Sequence, residues 1–400
     1  MNGLRKLLAP LLALASLASA ADGGGWTAAG HLSARSRHFT ESARWPGQRA
    51  QPGRLSLAAV ADLRWKSADG DQRASIMPVL RRDRGDQEGS LTDLREAYWA
   101  RRFGVAELLL GIDTVFWGVT ESLHLVDIIN QTDAVADIDG ETKLGQPMAN
   151  LALQTGWGLV SVYLLPHFRE RTFAGRDGRL RPPLAVDGDR PQYEAANGPR
   201  QADFAIRYSH YFGDVDIGLS LFRGTSREPR LLPDASATAL VPHYDRITQA
   251  GLDLQLTREA WLWKLEAIVR NGHAGTFAAA VGGFEYTFYQ VKDSDADLGL
   301  LLEYQHDGRG RDEPVTVGDN DVFAGLRLAL NDVQDTTLLA GISYDLETSG
   351  RILNVEAERR IGEDLTLEFR ARLFDAGRGD EALRAVDRDD YLELGLAWHF

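Results

Sequence analysis

The side chains most suited to act on a passing ion or solute are carboxylates gathered in one stretch, residues 118–147. Six acidic residues stand there against one basic residue: Glu121, Asp127, Asp133, Asp137, Asp139 and Glu141 against Lys143. Such an acidic segment, placed opposite basic side chains, would set up a transverse field. That field orders water and favours polar solutes that can reorient in it.

Basic residues that could supply the opposite side precede this segment in the chain: Arg81, Arg82, Arg84, Arg95, Arg101 and Arg102. We take Arg95, its neighbour Glu96 and the later Arg327 as candidate wall residues of the same site. A second explanation stays open, in which the acidic residues only pair with arginines and hold the segment in place.

The same segment is also too apolar to extend freely into water. Its apolar residues are Leu123, Leu125, Val126, Ile128 and Ile129. Because long connections without a role are uncommon, and because these side chains need a surface to pack on, we expect the segment to fold inward against a neighbouring wall.

The elements that would position this segment are strands with strict alternation of apolar and polar residues. In residues 54–66 the odd positions from Leu55 to Trp65 are apolar, and Arg64 and Lys66 lie among the even ones. The same alternation recurs in residues 251–257, 261–269, 322–330 and 365–373. Inward charge of this density suits a water-filled lumen, because unpaired charge in a dry core is very costly.

The connections between these segments alternate between short and mostly long. Short links are expected at residues 67–71, 213–214 and 362–364, for example, and long ones at 118–147, 169–201 and 375–388. This parity is typical of bacterial transmembrane barrels. We therefore predict an all-β fold, a transmembrane antiparallel β-barrel of about 18 strands, or 16 if one hairpin is misassigned.

Residues 391–400 end this strand pattern with an aromatic pair. Leu392, Leu394, Leu396, Trp398 and Phe400 share one face, which suits lipid. A strand with Phe at its end and Trp two places earlier resembles the strand that the outer-membrane assembly machinery recognises, so we take Trp398 and Phe400 as a candidate assembly signal.

The sequence lacks the residues and motifs that several kinds of chemistry require. The chain contains no Cys, its nine His show no paired metal-ligand spacing, and it has neither a nucleophile-elbow motif nor a phosphate-binding glycine loop. Ser209 and His210, which adjoin on one strand, point to opposite faces. We therefore expect no metal, no cofactor and no enzyme activity.

The first 20 residues read as a signal peptide. Arg5 and Lys6 precede an apolar run, and Ala18-Ser19-Ala20 gives a small-x-small cleavage pattern. Residues 21–400 would then form the barrel in the outer membrane of a Gram-negative cell. The formal net charge of −14 makes nucleic acid an unfavourable partner.

One set of residues resembles the signature of a porin-like family of uncharacterised Gram-negative outer-membrane proteins. It comprises Leu94-Arg95-Glu96-Ala97-Tyr98, Leu110-Gly111, Trp117-Gly118, Asp127 and Asn130-Gln131-Thr132-Asp133. The match spans about 45 residues, and Ile112-Asp113 replaces the basic-Gln pair of the family pattern. The resemblance implies an outer-membrane barrel, and in general porins the third loop folds inward and narrows the pore.

The sequence therefore predicts a porin-like channel for passive diffusion of small polar or amphipathic solutes, with residues 118–147 as its constriction. Expected partners are outer-membrane lipid, lipopolysaccharide, the barrel assembly machinery and the solutes, and a homotrimer is compatible with this class. The alternatives are a barrel enzyme such as a lipid hydrolase, and a plugged structural or adhesive barrel.

Overall fold

The computed structural model describes residues 24–400, and within them 18 strands form one antiparallel sheet. These strands are β1 (Gly25–Phe39), β2 (Gly53–Lys66), β3 (Gln72–Asp83), β4 (Leu91–Phe103), β5 (Ala106–Asp113), β6 (Gln146–Thr155), β7 (Gly158–Leu165), β9 (Asp203–Phe212), β10 (Val215–Thr225), β13 (Arg246–Arg258), β14 (Trp261–Gly272), β15 (Gly275–Phe288), β16 (Asp297–Asp307), β17 (Asn320–Ala329), β18 (Thr337–Asp345), β19 (Arg351–Ile361), β20 (Leu365–Asp375) and β21 (Tyr391–His399). The predicted all-β fold and strand number are confirmed. The proposed signal peptide, residues 1–20, lies outside the described residues.

The sheet is closed by pairing between its two terminal strands. β1 pairs with β2 on one side and with β21 on the other, where Leu32 lies opposite Trp398. Beyond β21, the backbone N–H groups and carbonyls of Gly30 and Phe400 exchange two hydrogen bonds of 3.0 Å. Closure leaves no strand edge in the wall unpaired.

Each strand of the wall has an outer apolar face and an inner face. In β14 Trp263 and Leu265 are exposed on the outside, whereas the intervening Lys264 and Glu266 are not. In β21 the outer residues Leu392, Leu394 and Leu396 are likewise exposed, and Glu393 is buried. The period of two in the sequence therefore sorts side chains between lipid-type and lumen-type surfaces.

The connections separate the two ends of the barrel into a turn end and a loop end. The turn end carries residues 67–71, 104–105, 156–157, 213–214, 259–260, 289–296, 330–336 and 362–364. At the loop end lie L1 (40–52), L2 (84–90), L3 (114–145), L4 (166–202), L5 (226–245), L6 (273–274), L7 (308–319), L8 (346–350) and L9 (376–390). L6 is a two-residue hairpin, in which His273 adopts a left-handed φ of 48°, and so it departs from the predicted alternation.

Two loops carry further secondary structure. β8 (Gln192–Tyr193) in L4 pairs with β12 (Leu240–Tyr244) of L5, which also pairs with β11 (Arg230–Pro233). L9 contains a short helix, Glu381–Arg384, whose N-terminus is capped by Asp380. Among residues 24–400, no helix has the length and apolar character needed to cross a bilayer.

Candidate functional site: the L3 constriction

The buried side-chain amide of Asn130 binds the chain at both ends of L3, where the loop leaves β5 and enters β6. The side chain of Asn130 accepts a hydrogen bond from the N–H of Val115 at 2.8 Å and donates to the carbonyls of Asp113 and Leu144 at 2.9 and 2.8 Å. Asn130 thereby ties both ends of L3 to its middle. The expected bounds were 118–147, but β5 ends at Asp113 and Gln146 already begins β6, so the loop is residues 114–145.

The first half of L3 is held by Glu266, a buried inner-wall residue of β14. Its Oε1 accepts from the N–H groups of Val119 and Thr120 at 2.8 and 3.2 Å and from the hydroxyl of Thr120 at 2.7 Å. Its Oε2 accepts from the N–H of Val126 at 3.1 Å. One carboxylate therefore satisfies four donors of a loop that has no sheet partner there.

Glu303 of β16 repeats this arrangement two strands further around the wall. Its two carboxylate oxygens accept from the N–H groups of Glu121 and Ser122 at 2.8 and 2.9 Å, and the Ser122 hydroxyl donates at 2.5 Å. Two inner-wall carboxylates thus bind the backbone of residues 119–126.

Apolar packing accompanies these hydrogen bonds. The L3 members of the buried cluster are Trp117, Leu125, Val126, Ile128 and Ile129. Its wall members include Leu109, Tyr163, Leu165, Phe222, Ile247, Ile268, Phe277 and Val281. Each such apolar side chain contributes about 1.5–3 kcal/mol when fully buried, so this half of L3 is fixed to the wall between β5 and β15.

The second half of L3 contacts the opposite part of the wall through ion pairs. Asp133 receives Arg81 of β3 in a two-point contact at 2.7 and 3.1 Å. Asp137 pairs with Arg370 at 2.8 Å, and Asp139 with Arg372 at 3.2 Å, both from β20. The pairing explanation for the acidic residues therefore accounts for these three.

L3 consequently crosses the interior of the barrel. It binds Glu266 of β14, while Arg54 of β2 donates to the carbonyl of Val135 at 3.2 Å. Nine steps around the 18-strand ring separate β2 from β14, which is half of the circumference. A segment that touches both strands must pass through the lumen.

The sequence-predicted carboxylates of L3 lie in two different settings. Asp127 and Asp133 are both 1% exposed, and Lys143 lies 2.9 Å from Asp127. Glu121 is more accessible and pairs with Arg327 of β17 at 2.5 Å, with Lys264 3.7 Å away. The structure therefore unites Glu121 with Arg327 at one part of the wall and Asp133 with Arg81 at another.

Arg95 and Glu96 lie at an irregularity of β4. Met77 of β3 lies opposite Glu96 and Pro78 opposite Leu94, so Arg95 is the extra residue of a β-bulge. Arg95 has Asp133 and Asp93 as its principal charged neighbours. It thus belongs to the Asp133 side of the constriction, and Glu96 follows it in β4 opposite Met77.

Charge neighbours alter the titration of two L3 side chains. Burial and the adjacent Asp137 carboxylate raise the pKa of Asp139 to about 6. Burial disfavours the protonated His124 ring, but the Glu266 carboxylate, 3.7 Å from Nδ1, raises the pKa of His124 above its usual value. The Asp139 carboxyl therefore titrates closer to neutrality than an ordinary aspartate, and the His124 ring stays protonated to a higher pH than a free histidine.

Several residues that organise L3 were not singled out by the sequence. Glu266, Glu303, Arg370 and Arg372 carried no expectation of their own, and Asn130 entered only as part of the family-like pattern. An inward carboxylate in an otherwise apolar stretch, such as Glu266 between Leu265 and Ile268, is the signal that could have identified a loop anchor.

Solvent reaches other charged residues of the inner wall. The side chains of Arg64, Arg327 and Glu356 are 56%, 40% and 38% exposed. On L3 itself Phe116 is 58% exposed and Ile138 is 37% exposed. Among residues 24–400, no group of three or more His, Asp or Glu side chains is placed to hold a metal ion.

The candidate assembly residues lie at the β1–β21 seam. Trp398 is 39% exposed on the outer face, and its ring centroid is 5.3 Å from that of Phe400. The Phe400 ring packs over Gly30, where a Cβ atom would come within 2.9 Å of it.

Comparison with known proteins places this fold among outer-membrane barrels. Neither a protein-family model nor a curated protein sequence matches the chain. Wzi, an outer-membrane protein involved in group 1 capsule assembly in Escherichia coli, aligns with a TM-score of 0.53 and 10% identity over 92% of this chain and 83% of its own. OccK11 (OpdR) of Pseudomonas aeruginosa aligns with a TM-score of 0.53 and 12% identity over 95% and 97%. The chain has the fold of the porin-like outer-membrane β-barrels.

Proposed function

We propose that this protein is an outer-membrane channel for passive diffusion of small polar or amphipathic solutes, with L3 as its constriction. The observation that carries the proposal is the combination of a loop crossing the lumen with solvent-exposed charges on the wall beside it, at Arg64, Arg327 and Glu356. A dry, plugged barrel would have shielded these side chains from solvent.

The solute class follows from what the accessible surface offers. Glu121 and Arg327 present opposite charges close together, which suits dipolar and zwitterionic groups. Phe116 and Ile138 of L3 add exposed apolar surface in the same lumen. A solute with a polar group and a small apolar part fits both.

Location and assembly belong to the same proposal. The fold similarity to two outer-membrane barrels supports insertion in a Gram-negative outer membrane. The signal-peptide pattern of residues 1–20 supports their removal before insertion. The Trp398–Phe400 pair would then serve as the signal for the assembly machinery. Lipid and lipopolysaccharide would contact the outer face, and a homotrimer remains compatible with it.

Ion selectivity tests the constriction. Replacing Asp127 and Asp133 by Asn leaves the cationic Lys143 and Arg81 without their partners, so the reversal potential under a salt gradient should shift toward anions. The matched control adds Lys143→Gln and Arg81→Gln to the same protein, restores the charge balance and should return selectivity toward the wild type. Purified protein in planar bilayers gives both measurements.

Removal of most of L3 tests whether the loop narrows the pore. Deleting residues 121–140 takes away the ion pairs with β3 and β20 and most of the apolar contact with β14, so unitary conductance should rise. Unchanged conductance in this deletion, together with unchanged selectivity in the Asn variant, would place L3 outside the permeation path and favour the structural barrel.

A further inference from the structure

L4 runs across the loop-end mouth of the barrel. It leaves β7 and returns to β9, yet its residues 172–181 contact L1, L2 and L9, which connect β1 to β2, β3 to β4 and β20 to β21. β9 and β20 are nine steps apart around the 18-strand ring, which places them on opposite sides. We call residues 172–181 the strap.

Arg179 forms the far end of the strap. This arginine is 5% exposed and forms an ion pair with Asp389 of L9, which is itself buried. It also donates to the carbonyl of Arg388 at 2.6 Å and lies 4.5 Å from the ring centre of Phe39. This guanidinium is therefore enclosed by L9 and the end of β1.

Leu180 and Arg181 extend the same attachment. Leu180 donates its N–H to Asp389 Oδ2 at 2.7 Å and packs against the apolar cluster that contains Phe39 and Phe374. Its φ of 58° lies in the left-handed region, which is strained for a leucine. Arg181 is buried as well and donates to the carbonyl of Pro46 in L1 at 2.9 Å.

A second attachment joins the middle of the strap to L2. The carboxylate of Asp86 accepts the N–H of Gly175 at 3.1 and 3.0 Å. A Cβ atom at Gly178 would overlap the same carboxylate, so this position requires glycine. The strap therefore fits L2 closely as well as L9.

The strap also contacts the constriction. The hydroxyl of Thr172 donates to Asp133 Oδ1 at 2.9 Å, and Asp133 is the L3 residue that Arg81 holds against β3. A displacement of the strap would thus remove one of the contacts that position L3.

We propose that L4 is a lid over the loop-end mouth, and that the contact of Arg179 with Asp389 latches it shut and limits entry to the L3 constriction. The limit on entry rests on the proposed channel function, whereas the closed position of L4 depends only on contacts between the loops. The strained Leu180 backbone favours release once the latch is broken, because the Asp389 carboxylate accepts the Leu180 N–H.

The test compares two latch variants with a control from the same loop. Arg179→Ala and Asp389→Asn should each give a larger open fraction or conductance in planar bilayers than the wild type. Arg190→Ala should behave as wild type, because Arg190 of L4 is 60% exposed and pairs with Asp187 on the surface. Wild-type currents in both latch variants would count against the lid.

Cysteine labelling gives a readout that does not depend on conduction. The chain has no Cys, so Ala136→Cys on L3 would be the single thiol, and Ser236→Cys on L5 would be an accessible reference. A polyethylene-glycol maleimide added to intact cells should label position 136 roughly tenfold faster with Arg179→Ala than without it. Equal rates at position 136 would overturn the lid. Faster labelling with no current from any variant would keep the lid and reject the channel.

Discussion

At the scale of single residues, Glu266 holds L3 by accepting four of its hydrogen bonds. A carboxylate can accept hydrogen bonds at both oxygens, whereas an amide presents donors on one side. In Glu266→Gln the side-chain NH2 group replaces one of the two oxygens. It therefore faces either the N–H of Val126 or the three donors at the other oxygen, and those hydrogen bonds are lost. We expect the free energy of local opening at residues 119–126 to fall by about 2 kcal/mol.

Hydrogen exchange of the Val119, Thr120 and Val126 amides would measure this change. Glu358→Gln is the matched control, because this exposed carboxylate belongs to β19 of the same wall and accepts no hydrogen bond from L3 within residues 24–400. Equal protection of the three amides in both variants would show that Glu266 does not position residues 119–126.

The sequence identified the acidic side chains of L3 but not the residues with which they pair. The count of six carboxylates against one lysine was sufficient to expect an electrostatic role. The partner of Asp137 is Arg370, which is 233 residues away, and pairings over such separations follow from barrel closure and strand register. Neither alternation nor composition carries that information.

At the scale of elements, β15 and β16 approach each other closely at a glycine in the interior of β15. Gly283 in β15 lies opposite Glu303 of β16, and a Cβ atom there would overlap the Leu302 carbonyl oxygen. Gly283→Ala should therefore lower the free energy of unfolding by about 2 kcal/mol. At Gly53, at the start of β2, an added Cβ meets no atom within 4 Å, so Gly53→Ala is the control.

The temperature at which the folded band converts to the unfolded band in detergent gels would report this difference. A Gly283→Ala protein as heat-resistant as Gly53→Ala would mean that the strand pair can shift to accommodate the methyl group.

The strands were predictable because their outer face meets lipid and their inner face meets water or L3. Apolar and polar residues therefore alternate along nearly every strand. The loops were less predictable. L6 breaks the expected alternation because a two-residue hairpin suffices between β14 and β15. L4 contains both arginines and acids, and only the closed barrel brings Arg179 to Asp389 and so buries this ion pair.

At the scale of the whole molecule, the two ends of the barrel predict an orientation. In the proposed outer-membrane location the loop end faces outward. An epitope inserted at Ser236, on the exposed tip of L5, should bind antibody on intact cells, and one inserted in residues 362–364 should do so only after permeabilisation. Both inserts should be detected equally in broken cells. Surface staining of the 362–364 insert would reverse the orientation.

The seam between β1 and β21 also determines the order in which the ring can form. Arg37 of β1 bonds to Glu393 of β21, which stands 356 positions later in the chain, so the pairing of β1 with β21 has the greatest loop-closure cost of the wall. Until both strands are present together, an incomplete ring exposes two unpaired edges that can join other chains. Folding of this chain therefore cannot proceed strand by strand to a stable intermediate in water. It requires protection of the open edges until the first and last described strands meet.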